Sequence, residues 1–186
     1  MTENQTVSDL QRGQWLKFLQ DTSPEIDPRA VRLMDEMRLA AHTLYQVGEQ
    51  SLVNTGLSYA QYRILIGLLF NEWTGDEDGL NPSEISAHQG TSRNTISALI
   101  RTLEDEGLIE RDLDRHDRRR FNIRLTEIGR SKVTEHASHH MKIVNQIFSI
   151  FDEEEQQELS KLLHSLNQRA QEIKDAGLEG NHASSR

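Results

Sequence analysis

Apolar residues recur along most of the chain at intervals of three or four positions, which is the spacing of one face of an α-helix. This pattern predicts a short helix over residues 10–20, a long one from Pro28 to about Leu52, and a third from Tyr59 to about Trp73. The third is apolar around much of its circumference, so we expect it to be central. The pattern then predicts helices over Pro82–His88 and from Ser92 to about Glu106, strands over 108–114 and 121–125, and two helices between Thr126 and about Ala176.

Residues that start and stop helices support these boundaries. Ser58, Asn81 and Thr126 each stand where a helix begins and carry a side-chain oxygen that can accept a hydrogen bond from a free backbone N–H. Pro82 suits a first turn, and Gly107 follows a last turn, where a left-handed backbone is common. The prediction is a mainly α-helical protein with one small β-hairpin.

The composition narrows the function classes. The 186 residues are 35% hydrophobic and 27% charged, a polar balance that suits amphipathic helices in one domain or two small ones. The absence of cysteine excludes a disulfide scaffold, a thiolate metal site and a cysteine redox sensor. No apolar run approaches the roughly 18 residues that span a bilayer, and residues 1–15 lack the order of a signal peptide. We expect a cytoplasmic protein with no membrane partner.

Charge is distributed unevenly along the chain. The whole chain carries 21 Lys and Arg against 30 Asp and Glu, a formal net charge of −9. Residues 111–132 reverse that sign, with eight Lys and Arg against four Asp and Glu, which gives +4 locally and leaves −13 elsewhere. A basic segment on an acidic body is typical of an element that faces phosphates. The alternative is a solvated, salt-bridged surface loop.

Residues 81–106 have the form of a helix-turn-helix: a short helix, a turn containing Gly90, and a second helix. The second helix has an apolar stripe on one side and polar side chains on the other. Arg can pair with guanine, Asn with adenine, and Ser with a base or phosphate, so the polar side suits a major groove. A solvated surface helix would also carry polar residues there. The stripe is Ile96, Leu99, Ile100 and Leu103, and the polar side is Arg93, Asn94, Ser97 and Arg101.

The hairpin that follows Gly107 favours DNA binding over the alternative. Its two strands flank an arginine-rich turn, and a basic ribbon beside a recognition helix has the form of a wing. Arginine at the tip suits the narrow, strongly negative minor groove of DNA. Asp117 within this run would repel a polyanion, so we expect it to fix the loop by accepting hydrogen bonds from a neighbouring arginine or from tip amides.

These segments resemble the MarR family of winged helix-turn-helix regulators. Gly107–Gly129 (GLIERDLDRHDRRRFNIRLTEIG) is similar to the family's Gly-Leu-Ile-x-Arg, Asp-x-Arg and Leu-Thr-x-x-Gly pattern. Asn81–Ile109 resembles its two-helix reader, and the helix order over roughly 30–175 agrees. The resemblance implies a transcription regulator without an enzymatic step, a ligand-responsive repressor that binds a palindromic operator in double-stranded DNA as an intertwined homodimer.

The resemblance also implies roles for individual residues. Asp117 and Arg119 match the family's wing Asp-x-Arg, with Arg119 entering the minor groove, and Arg118 and Arg120 are additional cations. Ser92 joins the polar side of the second helix at the positions that read the major groove. Dimer geometry would place the half-sites about one DNA turn, roughly 10 bp, apart.

Dimerisation has a reason in the sequence itself, because the first and last long helices carry apolar stripes that a monomer of this size has too few elements to cover. The alternative is an intrachain bundle. The resulting domain prediction is an N-terminal extension over 1–27, dimerisation helices over 28–57 and 126–176, a winged helix-turn-helix over 58–125, and a flexible tail over 177–186.

A small anionic aromatic effector is the ligand class that the resemblance implies. The N-terminal helix with Trp15 resembles the urate-responsive subgroup, but Arg63 after Tyr62 replaces that subgroup's acidic residue, which argues against urate. An anionic phenolic ligand paired with Arg63 stays open, with Trp15, His42, Tyr45 or Tyr62 as walls. Simple packing of Trp15 and a salt bridge at Arg63 are the alternatives.

A histidine cluster offers a different reading. His136 and His140 share a helix face, with His139 beside them, and His42 could approach from the first long helix. Imidazoles at this spacing can bind zinc, so a zinc-responsive regulator and a metalloenzyme are both alternatives. A helical interaction protein that does not bind DNA is the third. No cofactor is expected, since the sequence has no nucleotide-binding or nucleophile motif.

Overall fold

The computed structural model describes residues 13–15, 17–75, 78–113 and 120–177. It confirms the predicted fold class, mainly α-helical with an antiparallel hairpin. Nowhere in these ranges is a helix both long and apolar enough to cross a membrane. The elements are α1 (13–15 and 17–22), α2 (Pro28–Ser51), α3 (Tyr59–Trp73), α4 (Pro82–Gln89), α5 (Arg93–Asp105), β1 (Ile109–Leu113), β2 (Phe121–Leu125), α6 (Glu127–Phe148) and α7 (Glu153–Asp175).

The helices begin at the predicted caps. The Ser58 side chain accepts a hydrogen bond from the Gln61 N–H, and the Gln61 side chain accepts one from the Ser58 N–H, so the two form a capping box. Asn81 and Glu84 form the same arrangement at α4, where Pro82 occupies the first turn. Local side-chain chemistry therefore fixes where these helices start.

The core lies in the first of two compact units, residues 1–136. Helix α3 is central to it, since it contacts α2, α4, α5 and β2. The side chains of Leu65, Leu103, Ile123 and Val133 are fully buried there. The predicted inward stripe of α5 is confirmed, with Ile96, Ile100 and Leu103 buried and Leu99 packed against the core.

The hairpin pairs Ile109 with Leu125 and Leu113 with Phe121. The sequence pattern assigns no strand to Leu80, but this residue forms a single β-bridge with Ile123, with backbone hydrogen bonds in both directions at 2.8 and 3.2 Å. Gly79 makes this approach possible, because its φ is +82° and a Cβ there would lie 2.5 Å from the Ile123 carbonyl oxygen. The bridge ties the segment before α4 to the base of the hairpin.

The junction between the hairpin and α6 is closely packed. Thr126 caps α6 as predicted, because its side-chain oxygen accepts a hydrogen bond from the Gly129 N–H at 3.0 Å. The same hydroxyl donates to the Gly107 carbonyl at 2.7 Å. Gly129 is buried against the Leu108 carbonyl, and a Cβ at this position would overlap that oxygen. Close backbone approach explains why the sequence has glycine here.

The second unit, residues 137–186, holds the end of α6 and the whole of α7. Asp152 caps α7 through a capping box with Glu155. No residue of α7 is buried in the single chain, and its apolar stripe is exposed. The stripe consists of Leu162, Leu163, Leu166 and Ile173. Most of the predicted flexible tail over 177–186, and residues 1–12 of the predicted N-terminal extension, lie outside the described residues.

Gly129→Ala should destabilise the protein, because the added methyl group collides with the Leu108 carbonyl in a buried junction. We expect the free energy of unfolding to fall by about 2 kcal/mol or more, the usual cost of overpacking. Gly67→Ala is the matched control, since Gly67 lies within α3 with open space around its Cβ position. The free energy of unfolding of that variant should rise by roughly 0.5–1 kcal/mol, because alanine has a higher helix propensity than glycine. Urea unfolding at equal protein concentration measures both variants. Equal changes in the free energy of unfolding for Gly129→Ala and Gly67→Ala would contradict the packing explanation.

Candidate nucleic-acid interface

Helix α5 presents one polar face to solvent. Ser92 caps it by accepting a hydrogen bond from the Thr95 N–H at 3.2 Å. Arg93, Asn94, Ser97 and Arg101 are exposed, whereas the opposite side of the helix is packed in the core. Burial of the apolar stripe therefore holds the polar residues outward on a rigid element.

The turn between α4 and α5 is held by hydrogen bonds. Gly90 adopts a left-handed conformation with φ +61° and ends α4. The Ser86 hydroxyl donates to the Thr91 carbonyl at 2.5 Å, and the Thr91 N–H donates to the Ser86 carbonyl at 3.2 Å. The Gln89 side chain donates to the Arg63 carbonyl of α3 at 2.9 Å. These bonds fix α5 relative to α4 and α3.

The predicted DNA-contacting residues of α5 differ in what their side chains do. The Ser92 hydroxyl serves as the cap, and the Ser97 hydroxyl donates to the Arg93 carbonyl at 2.8 Å. In the described part of the chain, neither Arg93 nor Arg101 forms an ion pair. The two guanidinium groups are thus the free cations on this face of the helix.

The tip of the predicted wing lies mostly outside the described residues. Residues 114–119 include Asp117, Arg118 and Arg119, so the structure gives no position for these three. Arg120 is described and exposed, directly before β2. The base of the wing is well defined. In the chain, β1 follows α5 and β2 precedes α6, and the two strands are paired.

Part of the positive charge of residues 111–132 is paired within the protein, through partners that the sequence did not identify. The Arg111 Nε lies 2.7 Å from a Glu104 carboxylate oxygen, and the Arg124 Nη1 lies 3.1 Å from Asp112. Arg130 binds Glu72 of α3 at 3.0 Å. The hydrogen bonds that Arg130 donates to the Glu72 carboxylate raise the pKa of Arg130. Three of the eight cations counted in the sequence therefore help to hold the fold.

Some of the predicted effector residues meet where α2 packs on α3. The Tyr59 ring rests on α2 at Gly48, where a Cβ would lie 2.7 Å from ring carbons. Tyr59 contacts Tyr45 edge-on at 5.3 Å between ring centroids and stacks on Tyr62 at 6.4 Å. Tyr59 was not among the predicted residues, although it lies on α3 three residues before Tyr62.

Charged groups border these three tyrosine rings. Burial raises the pKa of the Tyr45 hydroxyl, the Glu49 carboxylate adds to the rise, and the Arg63 cation opposes it. Burial also raises the pKa of Tyr62. Arg63 is half-buried and close enough to influence Tyr45. The arrangement combines aromatic surface with a cation, which suits an anionic aromatic compound.

The structure also describes the surroundings of other predicted side chains. Trp15 stacks on Phe18 within α1 at 5.4 Å, and each is 55% exposed. His42 is exposed on α2, one turn before Tyr45. Burial lowers the pKa of His140, and its neighbour His139 adds to the effect. Within the described ranges, no three His, Asp or Glu side chains are grouped closely enough to hold a metal ion.

Comparisons with known proteins agree with this geometry. Residues 55–120 match the sequence model of the MarR family. The chain is 24% identical over 155 residues to the HTH-type transcriptional repressor YetL of Bacillus subtilis (strain 168), covering 83% of this chain and 90% of YetL. It is 32% identical to the HTH-type transcriptional regulator TtmR of Methylorubrum extorquens (strain PA1), covering 56% of this chain and about half of TtmR, 51%.

Solved structures show the same architecture. The S. aureus MepR–DNA complex superimposes with a TM-score of 0.66 at 27% identity, covering 72% of this chain and 93% of MepR. AbsC, a MarR family transcriptional regulator from Streptomyces coelicolor, superimposes with a TM-score of 0.67 at 23% identity, covering 78% of this chain and 96% of AbsC. This likeness supports the fold alone. The family comprises transcriptional regulators rather than enzymes. The chain is therefore similar to MarR-family transcriptional regulators over residues 55–120 and shares their winged-helix fold.

Proposed function

We propose that this protein is a ligand-responsive repressor that binds a palindromic operator as a homodimer. The observation that carries the proposal is the exposed face of α5, where Arg93, Asn94 and Arg101 project from a helix whose other side is locked in the core. The S. aureus MepR structure was solved with DNA, which supports DNA binding. YetL is a repressor, which supports repression. Such a regulator would act in the cytoplasm.

Each predicted DNA contact has a chemical reason. Arg93 and Arg101 can donate two hydrogen bonds to a guanine, and Asn94 can pair with adenine in the major groove. Ser92 and Ser97 would contact phosphate or a base edge. In the wing, Arg119 would enter the minor groove, flanked by Arg118 and Arg120, while Asp117 would hold the tip. The winged unit over 58–125 would thus read both grooves.

Exposed apolar side chains support the homodimer. On α2, Leu33 is 59% exposed and Met34 is 71% exposed, and the α7 stripe is open along its length. Apolar surface on two long helices normally marks a protein interface. We assign residues 28–57 and 126–176 to dimerisation, so that two winged units would face half-sites about one DNA turn, roughly 10 bp, apart.

The effector proposal is an anionic aromatic compound bound beside α2 and α3. Tyr45, Tyr62 and the half-buried Arg63 support it, and we add Tyr59, whose ring joins the two other tyrosines. His42 and Trp15 would complete the walls. A ligand at this position would touch α3 at Arg63, whose carbonyl accepts the Gln89 bond that holds the turn before α5.

Arg93→Ala and Arg101→Ala should each weaken operator binding at least tenfold, because a two-bond contact with guanine contributes about 1–3 kcal/mol per half-site. Arg169→Ala on α7 removes the same charge far along the sequence from α5 and should leave affinity within twofold. Fluorescence anisotropy with the DNA upstream of the protein's own gene measures all three at one salt concentration.

Light scattering on the same samples checks that every variant remains a dimer. A wild-type protein without salt-sensitive DNA binding would favour the helical interaction protein instead. A monomeric wild type would contradict the homodimer.

Hydroxybenzoates should raise the melting temperature of the wild type in a thermal-shift screen, because a ligand that binds only the folded state stabilises it. Arg63→Gln should abolish the shift, since it removes the cation and leaves the backbone carbonyl that Gln89 binds. Arg32→Gln, on the exposed part of α2, is the control and should retain it. A shift with zinc alone would favour the zinc-responsive alternative over the aromatic effector.

A further inference from the structure

We propose that Arg111 is a positioning residue that sets the direction of the wing relative to α5, and that Glu104 is its partner. Because this inference rests on the DNA-binding function proposed above, the wild-type protein must bind DNA before it can be tested. Arg111 belongs to the most basic part of the chain, where a phosphate contact would be the usual expectation. Its surroundings point to a different role.

Arg111 connects three elements through one guanidinium group. Its Nε donates to Glu104, in the last turn of α5, at 2.7 Å, the short distance of a charge-assisted bond. Its Cζ lies 4.8 Å from the centroid of the Phe121 ring at the start of β2, within the range of a cation–π contact. Arg111 itself belongs to β1. The end of α5 and both wing strands therefore meet at this side chain.

The position of Arg111 along the two-stranded ribbon lets its contacts set the direction of the wing. Arg111 lies opposite Ile123, so its side chain is on the ribbon face that carries the buried Ile109, Ile123 and Leu125. The next β1 residue on that face, Leu113, is 69% exposed. A two-stranded ribbon has little stability by itself, so its direction depends on contacts at its base. The Arg111 contacts lie where the ribbon leaves the core.

A second ion pair in the wing joins different elements from those that Arg111 joins. Asp112 and Arg124 are bonded at 3.1 Å on the opposite face of the ribbon, and this pair joins β1 to β2. The Glu104–Arg111 bond instead joins the wing to α5, across seven residues of sequence and the turn at Gly107. The side chains of Glu104 and Arg111 are only 37% and 35% exposed, which limits screening by salt.

Glu104→Gln tests the inference by the sign of its effect. Removing a negative charge near DNA should by itself strengthen binding, and Glu106→Gln, at the exposed cap of α5, shows that effect alone. We expect Glu106→Gln to bind as tightly as the wild type or more tightly. Glu104→Gln should bind about fivefold to twentyfold more weakly, because the wing is no longer held.

Arg111→Lys distinguishes positioning from phosphate contact. Lysine keeps the positive charge and can serve a phosphate, but it cannot both donate as a planar guanidinium to Glu104 and stack on Phe121. We expect Arg111→Lys to weaken binding to the same extent as Glu104→Gln. Affinity at the level of the wild type would show an ordinary phosphate contact and overturn the inference.

Base preference provides the readout that a loss of stability would not change. On the wild-type operator, replacing A·T pairs at the flanks, where the wing would enter the minor groove, should weaken binding, as should replacing the guanines read by α5. In Glu104→Gln and Arg111→Lys, the flank preference should fall while the guanine preference remains. Equal loss of both preferences, or no loss, would overturn the inference and leave the proposed DNA binding standing.

Discussion

The burial of one side of α5 is the constraint on which the rest of the molecule depends. Ile96, Ile100 and Leu103 lie in the same buried cluster as Leu65 and Leu68 of the central helix α3. Once that stripe is buried, the remaining side of α5 must face solvent, because the two sides of a helix cannot exchange without losing the core. The cap at one end and the Gly107 turn at the other then fix the helix along its axis. A polar surface held this rigidly suits recognition, since little conformational freedom is lost on binding.

Electrostatics add a second constraint, because a chain of net charge −9 must approach a polyanion. Part of the acidic charge is paired with arginines that hold the fold. Glu72 fixes the start of α6 through Arg130, and Glu104 meets Arg111 at the base of the wing. The cations that remain free on α5 then give one surface a local positive character. Under the proposed function, these cations would attract DNA to that surface.

Most of the fold could be predicted from the sequence because its signals are local. Ser58, Asn81 and Thr126 each cap a helix through bonds to residues three positions away, and such bonds depend only on neighbouring sequence. The β-bridge of Leu80 was missed because it joins residues 43 positions apart and involves a single pair, which leaves no periodic pattern. The Glu104–Arg111 bond was missed for a similar reason, since the turn at Gly107 decides which of several charges meet. At the proposed effector site, Tyr45, Tyr62 and Arg63 were proposed from the sequence, whereas Tyr59 was added from the packing of α3 on Gly48.

The measurement that bears most directly on this view of the molecule is dimethyl sulfate footprinting on the operator, which reports guanine N7 atoms in the major groove. If α5 reads that groove from each of two subunits, the protein should protect two groups of guanines about one helical turn, roughly 10 bp, apart. Protection of adenine N3 atoms in the minor groove alone, with every guanine N7 still reactive, would show that α5 is not the recognition element.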